Sequence, residues 1–489
     1  MSTPPTVRPR NAAPTCAMWA ATTPAGPSRR MRTWVPVGSM RVGAFTLRPY
    51  WGGSVPAVVN PLSGADRAWC GGRMTQTVEP ATSTASRIPA LPGLDATWRL
   101  ARDGYLFGTR GFRDVDADAF RTRLLGRAVV VARGAEAAHV FGTPDAFSRT
   151  GAIPRSVMHL LQDEGSVQQL EGPRHEARKR LMLDLAQEER GGLVVAFREA
   201  WPQVAAEHAH RPVPVRQVAS LALTRAALAW VGIRTEPADE RALCEDFDAM
   251  VSRAAAIGPL NWAARLRRRR TEAWAREVVR DLRRQGDRAT VAGRLAHHTE
   301  DGRLLDESVA AIELLNLLRP TVAVARFIAF AVHALHRHPD WASQIRGGEP
   351  AATRWTADEI RRFSPFFPMI GGIATRPIEL HGARLAQGQW VMLDLYGTDH
   401  SAELWERPDV FNPGRFATAS PMTVVAQGVG DPLAAHRCPG EQATADLLVA
   451  TLELLTQGPE YAVPEQDLRI SLRRLPAEPE DRMLVVFGG

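Results

Sequence analysis

Glu313 to Ala323 reads ELLNLLRPTVA and sits inside Val309 to Leu335, the most apolar stretch of a 489-residue chain. That stretch also holds Glu313, Asn316, Arg319 and Arg326. A charge costs about 2.5 to 3.5 kcal/mol at a bilayer centre, so no membrane span is expected and the segment is predicted to be a core helix. Proline inside a helix deletes a backbone hydrogen bond and clashes with the preceding turn, at about 3 kcal/mol, so the helix should kink or open at Pro320. Arg319 then has two readings. It pairs with Glu313 or another buried acid while Pro320 only bends the helix, or it stands at the kink facing a pocket, where its fork matches a carboxylate.

The chain is long enough for a large core, and 45% of it is hydrophobic. Its formal charge of +7 invites a nucleic-acid reading, but residues 1–73 hold nine arginines against Asp66 alone. They carry +8 and leave −1 for the remainder, which removes the main support for nucleic acid. Cysteines at 16, 70, 244 and 438 form no CxxC pair and no zinc-finger spacing, which fits a reducing, cytoplasmic setting.

Residues 1–73 are rich in Pro, Gly, Arg and Trp, lack periodicity, and do not read as a signal peptide. They are expected to be disordered or a mis-assigned extension, with the true start at Met74. Residues 74–90 read as a polar lead-in, and 91–489 as one domain that is mainly α with small β-sheets. Amphipathic helices are expected at EAAHVFGTPDAF, HEARKRLMLDLAQEE, VRQVASLALTRAALAWVGI and TEAWAREVVRDLRRQ, and strands at RAVVVARG, IGGIATRPIELHG and QWVMLDLYGT. The run RLRRRR, Arg265 to Arg270, reads as a solvated helix face rather than a binding patch.

In AAHRCPGEQATADLL, Cys438 precedes Pro439 and an apolar-periodic helix. Proline suits a first helical turn, so Cys438 is placed at a helix N-terminus, which favours the thiolate that ligates metal. His436 and Arg437 add donors beside it. Glu359 and Arg362 in EIRR share a helical face, and FNPGRF supplies Arg415. In this order the set resembles the cytochromes P-450, whose members carry an ExxR pair, an arginine that completes a charge triad, and a cysteine loop ending CxG. The resemblance implies haem b, with Cys438 as axial thiolate on iron and Glu359, Arg362 and Arg415 as the structural triad.

The long helix lacks the acid and alcohol pair of typical monooxygenases in that superfamily, and LLNLLRPTVAVARF resembles the fatty-acid peroxygenase branch instead. The likeness runs through residues 91–487 and includes DGYLFGTRGF, FSRTGAIP, VQQLEGPRHEARKRL, LDLYGTDH and AHRCPGE. It implies a soluble fold with haem between the long helix and the cysteine helix, and catalytic roles for Arg319, Pro320 and Gln168. A fatty-acid carboxylate docks on Arg319 and serves as the missing acid-base toward hydrogen peroxide, oxidising the chain near its carboxyl end, at Cα or Cβ. No redox partner is then required. Glutamine at 168, histidine in some decarboxylating relatives, favours hydroxylation over decarboxylation to a terminal alkene. Arg149, His175 and Arg178 match groups that bind haem propionates.

Three departures stand against the pattern. Gln162 replaces an aromatic, Phe363 and Ser364 stand where relatives often show tyrosine, and Val429 interrupts a glycine-rich loop and should alter its path. The competing readings are a monooxygenase fed by redox partners and a non-catalytic haem or fatty-acid binding protein.

Overall fold

The apolar stretch forms helix Glu307–Ala323, started by Asp306, whose carboxylate accepts the Ser308 N–H. Helix Ala325–Arg337 continues the same run. Glu307–Ala323 packs against helices Val215–Val231 and Pro259–Gln285, and Ala325–Arg337 against Val215–Val231 and the cysteine helix, Glu441–Gln457. Over the whole run Glu307–Arg337, 83% of the most apolar window is buried inside the molecule, as a core helix requires. The computed structural model describes residues 88–488 apart from 164 and 257. Expectations placed on residues 1–73, and on 74–87 of the lead-in, lie outside the described residues.

The expected kink moves. Pro320 lies within the first helix, and the ladder is interrupted at Val324, whose N–H bonds the Thr321 carbonyl at 3.2 Å in a tighter i to i−3 turn. Thr321 covers the neighbouring Leu317 carbonyl with its hydroxyl at 2.8 Å, which eases the loss of regular bonding around the proline.

The principal sheet runs Ala119–Leu124, Arg127–Ala132, Trp390–Asp394, Met369–Ala374 and Phe147–Ser148 across its width. Arg127–Ala132 and Trp390–Asp394 are its parallel pair, and the other three pairs are antiparallel. All three strand expectations fall in strands. Residues 88–90, assigned to the lead-in, belong to the fold: Ile88 is core, and the Pro89 carbonyl accepts the Arg121 N–H at 2.8 Å. The expected helix over RLRRRR and the residues after it is one element, Pro259–Gln285.

Two buried networks brace the cysteine side. Glu359 takes both Arg362 Nε and Nη2 at 2.8 Å, the Arg415 Nε at 3.1 Å and the Asn412 N–H at 2.8 Å. Arg362 and Arg415 also reach carbonyls of Asp399, Pro408, Glu406 and Val410, so the triad pins the loop between sheet and cysteine. Beside it Arg361 joins Asp358, Gln427 and Glu441, which ties helix Pro350–Phe363 to the start of the cysteine helix.

Val429 itself takes no positive φ. Gly428 and Gly430 take the positive φ values, 103° and 86°, while Val429 is buried in the apolar cluster under the sheet. At Gly430 a Cβ would stand 2.4 Å from the Gly142 carbonyl oxygen, so only glycine fits. We predict that Gly430→Ala costs about 2 to 4 kcal/mol, from the left-handed backbone and the clash together. Thermal unfolding and haem retention check this, and a wild-type melting temperature would show that the loop can shift at no cost.

Candidate active site

Arg319 is buried on helix Glu307–Ala323, and no acid of the described residues lies within 4.0 Å of its guanidinium. Its donors go to the carbonyls of Leu160, at 3.2 Å, and Leu161, and to Asn316 Oδ1 at 3.0 Å. Burial pushes its pKa down to about 9, with the nearby Arg268 adding to the shift and Asp163 and Glu313 opposing it from a distance. The acid proposed as its partner is engaged elsewhere: Glu313 accepts Arg178 Nη1 at 2.8 Å, the Val167 N–H at 2.7 Å and Asn316 Nδ2 at 3.0 Å. Of the two readings of Arg319, pairing with Glu313 is the one the geometry removes.

Glu313, Asn316 and Arg319 stand three residues apart, so they form a ladder down one helical face. Asn316 is its middle rung and was not singled out from the sequence, although the E-x-x-N-x-x-R spacing was there to be read. The same Asn316 amide reaches Gln168 Oε1 at 3.3 Å, which sets Gln168, in the short turn Val167–Gln169, beside the ladder. Gln162 does not open the pocket to water by itself: its Oε1 accepts Gln169 Nε2 at 2.7 Å. Pro320 follows Arg319 with no donor of its own to offer the site.

On the other side lies Cys438, a free thiol whose backbone N–H bonds Gln427 O at 3.0 Å. The cysteine helix begins at Glu441 with Gly440 as its cap, so Pro439 belongs to the turn before the helix and not to its first turn. Burial raises the thiol pKa, and the Gly440 N–H and the Lys179 ammonium act against it. The N-terminal position alone therefore does not make the thiolate; an iron centre would.

Arg149, His175, Lys179 and His436 gather near Cys438. The two imidazole rings are 4.4 Å apart, and Lys179 donates to the Arg437 carbonyl at 2.5 Å. Burial and then mutual repulsion push His175 down to about 4 and His436 to about 2. Burial does the same to Arg149, to about 9, and to Lys179, to about 8. Arg149 Nε and His175 Nε2 are buried without a hydrogen-bond partner, and both residues line a cavity of about 170 Å³ with His436. A pair of carboxylates at the edge of a planar group would supply what these donors lack, so the residues present fit haem.

Two expected contacts are corrected. Arg178 turns to Glu300, at 2.5 and 2.7 Å, and Glu313, so its fork is filled by carboxylates and not by a propionate. The cation facing the cysteine is the next residue, Lys179, which the sequence reading passed over; its signal was the four-residue spacing from His175 on helix Gly172–Glu188. Arg437 spends its side chain on Glu441 at 2.5 and 2.8 Å and on the Met422 and Val424 carbonyls, and only its own carbonyl meets the basic group. Phe363 packs edge-on against Phe411, 5.7 Å between centroids, and Ser364 ends the helix.

Because Arg319 is buried with no acid within 4.0 Å among the described residues, we predict that Arg319→Met raises the stability of the substrate-free protein by about 1 to 3 kcal/mol. The sign follows from linkage: a folded pKa below the unfolded 12.5 means that burying the cation costs stability throughout the neutral range. Thermal unfolding without ligand checks it, and a lower melting temperature would make the carbonyl bonds the dominant role of Arg319.

Comparison with known proteins gives concordant likenesses. The family model for cytochrome P-450 matches residues 352–431. A solved structure of cytochrome P-450 EX alpha (CYP152N1) with myristic acid superposes with a TM-score of 0.78 at 33% identity, over 82% of this chain and 98% of that one. A variant of cytochrome P-450 OleT in complex with arachidonic acid gives 0.78 at 29%, again over 82% and 98%. Among curated proteins, cytochrome P-450 137 of Mycobacterium tuberculosis is 28% identical over 186 residues, a match spanning 36% of this chain and 39% of that protein's length.

Proposed function

We propose, since the chain belongs to the cytochrome P-450 family, that it is a haem-thiolate peroxygenase that uses hydrogen peroxide to hydroxylate fatty acids next to the carboxyl group. The observation that carries this reading is the buried Arg319 guanidinium, which among the described residues has no acid within 4.0 Å. A substrate carboxylate is the charge it lacks. As in the family, the cofactor is haem b with Cys438 as its thiolate ligand, and when bound it supplies the redox chemistry that splits peroxide and oxidises a C–H bond. In the balanced reaction one C–H becomes C–OH and hydrogen peroxide leaves as water.

The protein's own part is placement. The Leu160 and Leu161 carbonyls and Asn316 leave the guanidinium little freedom to turn, so a carboxylate meets a prepositioned fork. Held there, the carboxylate carries the proton between the two peroxide oxygens, the work that a protein acid does in a monooxygenase. Clamping the carboxyl end also decides the regiochemistry, because the carbons nearest the clamp, Cα and Cβ, are those held closest to the reacting oxygen. Pro320 interrupts regular bonding beside Arg319, and Gln168, linked to the same ladder through Asn316, presents an amide that cannot supply a proton as histidine does. We therefore place hydroxylation ahead of decarboxylation to a terminal alkene.

Two solved relatives hold fatty acids, myristic and arachidonic acid, which supports the substrate class. Arg149, His175, Lys179 and His436 would hold the haem propionates, and the Glu359, Arg362 and Arg415 triad keeps the cysteine loop in place. A cytoplasmic location agrees with Cys244 and Cys438 standing as free thiols.

Haem-loaded protein given a medium-to-long fatty acid and hydrogen peroxide, with no reductase, is expected to form 2- or 3-hydroxy acids. Arg319→Ala should keep its haem and lose turnover by on the order of 100-fold or more, the equivalent of about 3 kcal/mol. Arg319→Lys should fall between, since it keeps the charge but not the fork. Product formation only after an electron-transfer system is added would make the enzyme a monooxygenase, and full activity in Arg319→Ala would end the clamp.

A further inference from the structure

Asparagine and aspartate have nearly the same shape, so the amide at position 316 settles charge and not size. Asn316 is buried on helix Glu307–Ala323, between Glu313 and Arg319. Its neighbours dictate which way the amide faces. A guanidinium has donors only, so the oxygen of Asn316 accepts from Arg319 Nη2 at 3.0 Å. Its nitrogen then faces the acceptors, Glu313 Oε2 at 3.0 Å and Gln168 Oε1 at 3.3 Å. Both N–H groups of the amide are engaged, and a neutral group that bonds Glu313 and Arg319 alike keeps their charges apart.

The orientation passes on to Gln168. Its Oε1 is turned to Asn316, so its Nε2 lies at the other end of the amide, and that nitrogen donates to no group among the described residues. Gln168 is half-buried, which leaves those two N–H groups open to a ligand. The Arg319 guanidinium and the Gln168 amide thus stand on either side of one asparagine as donors, and a carboxylate has lone pairs for both.

An aspartate at 316 would undo each part of this arrangement. One carboxylate oxygen would take the place of Asn316 Oδ1 against Arg319, giving the guanidinium an acid from its own helix. The other oxygen would face Glu313 and Gln168, two acceptors, where Asn316 offers donors. We propose that Asn316 is a positioning residue that selects for carboxylate ligands: it holds the Arg319 guanidinium without neutralising it, and it turns Gln168 so that the amide nitrogen, not the oxygen, is offered to the same ligand. The inference rests on the reading of Arg319 as the carboxylate clamp.

The test measures binding of myristic acid and of 1-tetradecanol, a chain of the same length without the charge, by equilibrium dialysis against the full-length, haem-loaded chain with no peroxide present. The wild type should bind the acid at least tenfold more tightly than the alcohol. Asn316→Asp should lose about tenfold or more in affinity for the acid, with its affinity for the alcohol within about twofold of wild type and its haem absorbance unchanged. Asn316→Ala removes the hydrogen bonds and supplies no acid, so it should lose only about threefold. Where the new carboxyl beside Glu313 prevents folding, Glu313→Gln combined with Asn316→Asp removes the repulsion and carries the same readout, since Arg178 keeps Glu300. Undiminished acid binding in the aspartate variant overturns the proposal. So does an equal loss in Asn316→Asp and Asn316→Ala, which would make the residue a packing element, or an equal loss of acid and alcohol. Arg319→Met tells this apart from the clamp itself. A preference for the acid that survives in Arg319→Met ends the clamp, and one that is lost there but kept in Asn316→Asp leaves the clamp standing and sinks only the role of Asn316.

Discussion

The pocket depends on which arginine Glu313 chooses. Arg178 comes across from helix Gly172–Glu188 and takes the carboxylate at 2.8 Å, and Glu300 fills the rest of its fork. A buried carboxylate and guanidinium so matched repay much of the cost of leaving water. Arg319, two turns along from Glu313, is left with carbonyl oxygens and one amide. Had Glu313 turned to Arg319, Arg178 would be short of one carboxylate and the long helix would hold no free cation. Within this network Arg319 is the member left without an acid among the described residues.

The opposite wall follows the contrary rule, with two acids each shared between two arginines. Glu359 is shared between Arg362 and Arg415, and Glu441 between Arg361 and Arg437. These acids and their arginines tie helix Pro350–Phe363, the loop that follows the sheet, and the cysteine helix into one block. Between the matched wall and the open one stand the four basic groups around His175, repelling each other until an anion joins them. Among the described residues, buried positive charge without an acid within 4.0 Å stands at Arg319 and near Cys438, and each of these places suits a carboxylate from a ligand.

Much of this was legible in the residues because the spacing of a motif survives folding. The helix bearing Glu359 and Arg362, the cysteine turn, and the arginine-proline pair in an apolar helix are local patterns whose geometry follows from 3.6 residues per turn. The misreadings have an equally physical source. Arg178 and Lys179 are adjacent on a helix, a rotation of about 100°, so one faces Glu313 and the other the cysteine; the pattern RHEARKR does not say which. Arg437 was read by its proximity to Cys438 in sequence, but its side chain points back to Glu441 one turn on. Val429 was judged by its own φ preference, when the two glycines beside it carry the strained angles. Pro320 was expected to break the helix where it stands, whereas the tight turn falls at Val324.

Six of the exposed apolar side chains eluded sequence reading for a further reason. Leu94, Trp98 and Leu125 look like ordinary apolar positions of short elements, and Leu260, Trp262 and Leu266 like the buried stripe of a long helix. Only the fold reveals that the buried stripe of helix Pro259–Gln285 runs through Asn261, Ala264, Arg268 and Thr271 and leaves Trp262 and Leu266 outside. Arg268, held by Asp163 and Glu272, lies on that stripe, and residues two and six positions earlier fall on the other side of the helix. The face that carries this ion pair is thus the face the core takes, and the surface displays the apolar residues on the other.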